Sequence, residues 1–220
     1  MQSTQVTRIL IWSRWLRISH WLIGFSGLGL MASGYLMKHQ IVDNSAAEDL
    51  HYMLTAVLLP ALLVRLYLLF FGKGTDHFTD CEPDIHRLRQ AWEVAKFYLT
   101  LGKAPLPKWY SHNPLWGPLY LAFYFILALN ALSGLALINE APFLFNLSMI
   151  DLHRITYMLI SGFAVLHILA VFSHDMGGTS SDISGMINGH RIFELKQEPT
   201  QESTSFQSVD VKDLLKTIKK

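Results

Sequence analysis

Four stretches of the chain run for about twenty residues with few or no charges, at roughly 18 to 37, 50 to 71, 115 to 138 and 152 to 173. Each approaches the ~20 residues that a helix needs to cross the hydrocarbon layer of a bilayer. The pattern predicts an all-α membrane protein built as a bundle of four transmembrane helices. The first stretch opens on Arg14, Arg17 and His20 and shows no small-residue cleavage site before the next polar segment, so it is expected to stay as an anchor. Between the second and third stretches, IHRLRQAWEVAKFYLTLG (85 to 102) spaces Ile85, Leu88, Trp92, Ala95, Phe97 and Leu99 loosely like an amphipathic helix on a membrane surface; a solvated connector is the other reading. From about 194 the chain turns polar with scattered charge, which divides it into a membrane domain, 1–193, and a tail, 194–220, with a short terminal helix from Val209.

Composition agrees with the pattern. Of 220 residues 51% are hydrophobic and only 16% charged, the profile of a chain whose solvent is lipid. The net charge of +1 is uninformative until it is distributed. Arg8, Arg14 and Arg17 precede helix 1, and Lys73, Arg87, Arg89, Lys96, Lys103 and Lys108 lie between helices 2 and 3. The opposite loops hold little beyond Lys38, Asp43, Glu48, Asp49, Glu140 and Asp151. The positive-inside rule then puts both termini and the 2–3 loop, with its amphipathic segment, in the cytoplasm. Cys81 is the single cysteine, so neither an internal disulfide nor a thiolate cluster is available, and no CxxCH marks covalent haem attachment. No GxGxxG, Walker loop or Ser/His/Asp arrangement stands out, and nothing suggests nucleic-acid binding.

The chemistry must then lie inside the bundle, where DLHRITYMLISGFAVLHILAVF (151–172) carries two histidines in an apolar helix. His153 and His167 are fourteen residues apart, close to four turns, so they share a face about 21 Å apart along the axis. Helix 4 runs inward, which puts His153 at the outer level and His167 at the inner one. Helix 2 also runs inward and begins LHYML, matching His51 to His153; helix 1 runs outward and begins RISHWL, matching His20 to His167. Two histidines on facing helices suit a six-coordinate haem b, whose porphyrin fills the other four sites. A tetrahedral zinc site would want four ligands at one level. Taken singly, such a histidine is more often an interfacial or hydrogen-bonded residue; the matching of levels favours ligation. Gly24, Gly27, Ser133, Gly134, Ser161 and Gly162 either let a flat macrocycle approach the backbone or serve ordinary helix packing.

RISHWLIGFSGLGLMASGY, LHYMLTAVLLPALLVRLYLLFFG, HNPLWGPLYLAFYFILALNALSGLAL and LHRITYMLISGFAVLHILAVFSHDM with SGMINGHRIF, in that order, resemble the b-type cytochrome subunit of respiratory nickel–iron hydrogenases, over about residues 14 to 193. That family is similar in architecture to the membrane subunit of formate dehydrogenase. The resemblance implies four core helices and two haems b, held by His20, His51, His153 and His167. It implies electron transfer from an outward-facing catalytic dimer, an iron–sulfur small subunit with a large subunit, to a quinone, menaquinone or ubiquinone, in the inner membrane of a bacterium or archaeon. It further suggests a quinone site beside the inner haem, with His112 and Asn113 of HNPL as hydrogen-bond donors; Asn-Pro is equally an ordinary helix-start signal. Arg65, within apolar helix 2, either snorkels or meets a haem propionate, and Arg17 and Arg154 are either propionate partners or interfacial anchors. The outer loops, roughly 38 to 50 and 139 to 151, are shorter than is common in the family. Other readings are a cytochrome b subunit of a molybdopterin oxidoreductase such as formate dehydrogenase, a stand-alone cytochrome b561-like reductase, and a haem-free anchor.

Overall fold

The computed structural model describes residues 4–176 and 182–196; the expected helix from Val209 lies outside the described residues. The elements are β1 (Thr4–Leu10), α1 (Arg14–His39), α2 (Asn44–Phe71), two single-turn 3₁₀ segments (Gly74–Asp76 and Phe78–Asp80), α3 (Ile85–Leu99), α4 (Trp116–Ile138), β2 (Phe143–Leu144), β3 (Leu147–Ser148), α5 (Met149–Met176), α6 (Asp182–Asn188) and β4 (His190–Lys196). The chain is mostly helical, as its pattern predicts. Two short two-stranded sheets, β1 with β4 and β2 with β3, are additions the hydrophobic pattern leaves unmarked. Residues 8–192 form one compact unit, and the described residues 4–7 and 193–196 belong to a second.

Three helices are long and apolar enough to cross a membrane, Ser45–Phe71, Trp116–Ile138 and Met149–Met176, among the described residues. Helix α1 matches them in length, at 26 residues, but carries more polar positions. The reason is a seven-residue serine repeat: Ser19, Ser26 and Ser33 are all buried, and each hydroxyl donates to its own helix, at Leu16 O (3.0 Å), Leu22 O (2.5 Å) and Leu30 O (3.2 Å). Satisfied in this way, a serine costs a buried helix little and leaves it narrow. Packing between α1 and α2 uses that narrowness, since a Cβ built on Gly29 would meet Leu54 at 2.7 Å.

Helix α1 packs along α2 and α4 along α5, and the two pairs approach each other closely mainly through α2 and α4. Ile23, Leu58, Ala61, Leu62, Leu127 and Ile160 close the middle of the bundle as one apolar cluster. Helix α3 starts on Asp84, whose carboxylate accepts from the amides of His86 and Arg87. It seats Val94 against the protein while Ile85, Leu88, Trp92 and Leu99 stay exposed on its outer side. That stripe is the one expected of a surface amphipathic helix. The β2–β3 hairpin joins α4 to α5 through Phe145 and Asn146, both at positive φ (49° and 63°), the two-residue turn that suits strand twist.

Candidate cofactor-binding site

On α5 the residues His153, Ile160, His167 and His174 recur every seven positions, so they line one side of the helix two turns apart. Helix α2 answers with His51, Leu58 and Arg65 at the same interval. The apolar cluster containing Leu58 and Ile160 therefore separates an upper and a lower group of polar side chains.

The upper group surrounds a cavity of about 300 Å³. His51 and His153 both line it, with Gly27, Leu58, Leu127 and Gly134 among the other walls. Each imidazole is held from behind. His153 Nδ1 lies 3.1 Å from the carbonyl of Asn130, which can only accept, so the ring proton sits on Nδ1 and Nε2 keeps its lone pair. Ser133 Oγ lies 3.1 Å from the same nitrogen. His51 Nδ1 is 2.9 Å from Ser33 Oγ, whose own proton goes to Leu30 O; the hydroxyl therefore accepts from Nδ1–H, and Nε2 is again the free nitrogen. The Asn130 side chain braces the start of α5, donating to His153 O (3.1 Å) and Thr156 Oγ1 (2.9 Å). Metal-binding histidines are characteristically anchored through the nitrogen that faces away from the metal. A Cβ on Gly134 would stand 3.2 Å from His153 Cε1, so only glycine leaves the ring its position without adjustment. Gly24 and Gly162, by contrast, face open space.

In the lower group, His20 and His167 face each other with ring centres 6.2 Å apart and planes at 69°. Two imidazoles bound to opposite sides of one metal, by nitrogens about 2 Å from it, stand roughly 6 Å apart between centres. Neither ring makes a hydrogen bond among the described residues; aromatic rings surround them instead. Phe163 stacks on His167 at 5.9 Å and 5°, Trp116 and Tyr120 meet it edge-on at 5.8 Å, and Trp21 meets His20 at 5.5 Å.

The donor set at each level suits the two axial positions of an iron porphyrin. Two imidazoles per level supply the axial positions and leave the equatorial ones to the macrocycle. No group of three His, Cys, Asp or Glu side chains able to hold a bare ion exists among the described residues. The lining of the upper cavity is predominantly apolar, with glycines where a flat ring would press.

The remaining candidates fall into distinct places. Arg65 is buried and does not snorkel: its Nε donates to Tyr124 OH (3.1 Å), an Nη donates to Asp76 O (3.1 Å), and the guanidinium lies over the Tyr124 ring. Arg17 donates to Ile187 O (2.5 Å), and its buried Nε has no hydrogen-bond partner among the described residues. Arg154 is exposed, 3.9 Å from Asp151, and is not among the cavity walls. His112 is buried against Trp12 and Tyr120, with Nδ1 2.5 Å from Asp80 Oδ2. Asn113 is buried too; its Oδ1 accepts from Leu115 N (2.9 Å), and its side-chain amide lies beside the Tyr98 hydroxyl. Burial alone would raise the Asp80 carboxyl, but hydrogen bonds from His112 and Ser111 outweigh it and hold it below the usual range. Burial keeps His112 below the usual imidazole value even against Asp80.

The spacing of the histidines leads to both pairs and extends to His174 on the same face, without showing what His174 meets, whereas Ser33, Asn130 and Tyr98 escape a reading by spacing. Ser33 carries a signal, the seven-residue serine repeat that ends beside His51. The others are joined only by long-range contacts.

The family model for prokaryotic cytochrome b561 matches residues 11–189. The chain is 23% identical over 216 residues to the probable Ni/Fe-hydrogenase 1 B-type cytochrome subunit of Escherichia coli (strain K12), covering 84% of this chain and 92% of the relative. It is 26% identical over 223 residues to the probable Ni/Fe-hydrogenase B-type cytochrome subunit of Azotobacter vinelandii (86% and 90%) and 26% over 208 residues to that of Bradyrhizobium diazoefficiens (80% and 83%). No solved structure matches. With paired histidines at two depths of a helical bundle and a family match over most of its length, the chain belongs to the prokaryotic cytochrome b561 family.

Proposed function

We propose that this chain is the membrane subunit through which a Ni/Fe-hydrogenase passes electrons to quinone, with His51 and His153 holding an outer haem b and His20 and His167 an inner one. The carrying observation is the pairing itself: four histidines from three helices meet two by two, one pair flanking a cavity and the other set at the spacing of two axial ligands. Bound there, the two haems would supply one-electron carriers at two depths of the membrane.

The chain's own residues do the rest. Ser33 and Asn130 fix the imidazole protons of the outer pair on Nδ1, so that Nε2 points into the site. The aromatic rings around His20 and His167 exclude water from the inner pair. Arg17 and Arg65 supply positive charge at the inner level for propionates. Helix α1 joins α2, α4 and α5 as a fourth span, its serines turned into the bundle rather than toward lipid. The arginine- and lysine-rich 2–3 segment then faces the cytoplasm and the β2–β3 hairpin the hydrogenase. Asn113, with a buried amide donor, is the residue of HNPL suited to a quinone oxygen, while His112 anchors the loop through Asp80.

The test is a reduced-minus-oxidised spectrum with pyridine haemochrome quantification on the purified chain, beside His20→Ala and His51→Ala. Two haems b per chain, each variant losing one, is the expected result. No haem, or a content that survives both substitutions, overturns the reading.

A further inference from the structure

Two turns beyond His167 on the same face of α5, His174 sits almost wholly buried at the inner end of the bundle. Its Nε2 lies 2.7 Å from Tyr98 OH on α3, and its Nδ1 3.2 Å from Asp182 Oδ2 at the start of α6. The proton directions follow from the end groups. The carboxylate of Asp182 accepts from Nδ1–H, Nε2 therefore accepts from the Tyr98 hydroxyl, and Trp116 Nε1 donates to the Tyr98 oxygen (2.9 Å). Arg191 on β4 pairs with the other Asp182 oxygen at 3.2 Å and is itself tied to the carbonyls of Tyr110 and Ser111. A phenol, an imidazole and a carboxylate are thus joined in one line across three helices, running from a partly exposed carboxylate to a phenol one ring away from His167. Trp116 spans the last step, since its ring also meets His167. The Asn113 side-chain amide lies beside the Tyr98 hydroxyl, at the same end of the line.

Every member of the line is hydrogen-bonded, so its burial is tolerated, and its continuity from a partly exposed carboxylate to a phenol on the buried side is what proton delivery requires. We infer that Tyr98, His174 and Asp182 form the path by which cytoplasmic protons reach the quinone, with Tyr98 the residue that donates to its oxygen. This deepens the proposed function and rests on its quinone-reducing role. Quinone becomes quinol by taking two electrons, supplied by the partner's oxidation of hydrogen, and two protons. In each of two passes the Tyr98 O–H bond breaks as a quinone O–H bond forms, and His174 turns to hand its ring N–H proton to the Tyr98 oxygen. Asp182, the partly exposed end of the line, takes a proton from water and passes it to the ring nitrogen left bare. One proton has then moved from water to the quinone, and the line is restored. The charged and titratable groups facing His174 are Tyr98 from α3, Asp182 from α6, Arg191 from β4 through Asp182, and Asp175 on its own helix, whose carboxylate accepts from the amides of Asp182 and Ile183.

The experiment uses the assembled complex in membranes, with hydrogen as donor and a short-chain naphthoquinone as acceptor, read as kcat and KM across a pH series; viologen reduction by hydrogen reports the partner separately. Tyr98→Phe is expected to lower quinone-reducing kcat by about 100-fold, the scale of a lost general acid, while KM and the dissociation constant of a non-reducible quinone analogue stay within about twofold. Asp182→Asn is expected to displace the acid limb of the pH profile. Wild-type kcat and an unmoved profile in Tyr98→Phe overturn the relay and leave the quinone role standing. A wild-type complex that reduces viologen but no quinone overturns the role itself. Should Tyr98→Phe fail to assemble, His174→Gly with added imidazole decides: recovered quinone reduction supports the path, and none refutes it.

Discussion

Ser33→Ala isolates the support behind one proposed ligand. Ser33 is fully buried and its hydroxyl makes two contacts, donating to Leu30 O and accepting from His51 Nδ1–H at 2.9 Å. Ser26 makes the first kind of contact and lacks the second, bonding only to carbonyls of its own helix. Ser26→Ala is therefore the matched control, and the difference between the two variants belongs to His51. A neutral hydrogen bond of this type contributes about 1 kcal/mol. An imidazole that donates from its far nitrogen is the better electron donor to a metal, which favours the oxidised iron. If the whole of that contribution distinguishes oxidised from reduced, a potentiometric titration should find the outer haem about 40 mV more positive in Ser33→Ala, taking 59 mV as tenfold for one electron. The inner haem, on the other side of the Leu58–Ile160 cluster, should not move. Equal displacement of both haems, or the same displacement in Ser26→Ala, would refute the assignment of Ser33 to His51.

Gly134→Val, which forces bulk onto His153 where even a Cβ would stand at 3.2 Å, is expected to halve the haem content by pyridine haemochrome while the inner absorption remains. Arg65→Ala removes bonds to Tyr124 and the Asp76 carbonyl and should cost roughly 2–3 kcal/mol, seen as a lower unfolding temperature in detergent. Asp80 and His112 both have folded pKa values below their ordinary ones, so each stabilises the 2–3 segment above its unfolded value and loses that contribution as pH falls through the folded one. Limited proteolysis of this segment should accelerate below about pH 6.5, again below about pH 4, and lose the second step in Asp80→Asn. Cys81, buried with its thiol pushed up to about 11, should resist alkylation in the native protein at pH 8 and react on unfolding; rapid native labelling would contradict its placement.

How far the sequence carried the reading depends on the range of each contact. His153 and His167 lie on one helix, so counting residues is enough to put them on one face, and the direction of each helix then assigns His51 and His20 to their levels. The same counting places α3 and its exposed stripe of Ile85, Leu88, Trp92 and Leu99. It stops at Tyr98 and His174, which are 76 residues apart and meet only through the tertiary fold. Arg65 illustrates the other limit. Hydropathy marks it as a charge in an apolar helix but cannot show Tyr124 and Asp76 waiting for it, so snorkelling and burial read alike. For α1 the composition misleads in a specific way: its serines lower the helix's apolarity although all three are buried, which a composition average cannot distinguish from facing water.

The seven-residue recurrence on α5 also makes the distance between the two proposed carriers a matter of chain length. Each residue adds about 1.5 Å of rise and about a quarter turn of rotation, so no small insertion or deletion between 153 and 167 lengthens the gap without also turning one imidazole away from its partner. Among changes of fewer than about ten residues, seven comes nearest to restoring the facing, to within about 20°, and it alters the separation by roughly 10 Å at once. The gap is therefore quantised: a lineage altering residues on this helix can tune potentials gradually, while the tunnelling distance stays fixed by a count that admits no intermediate value.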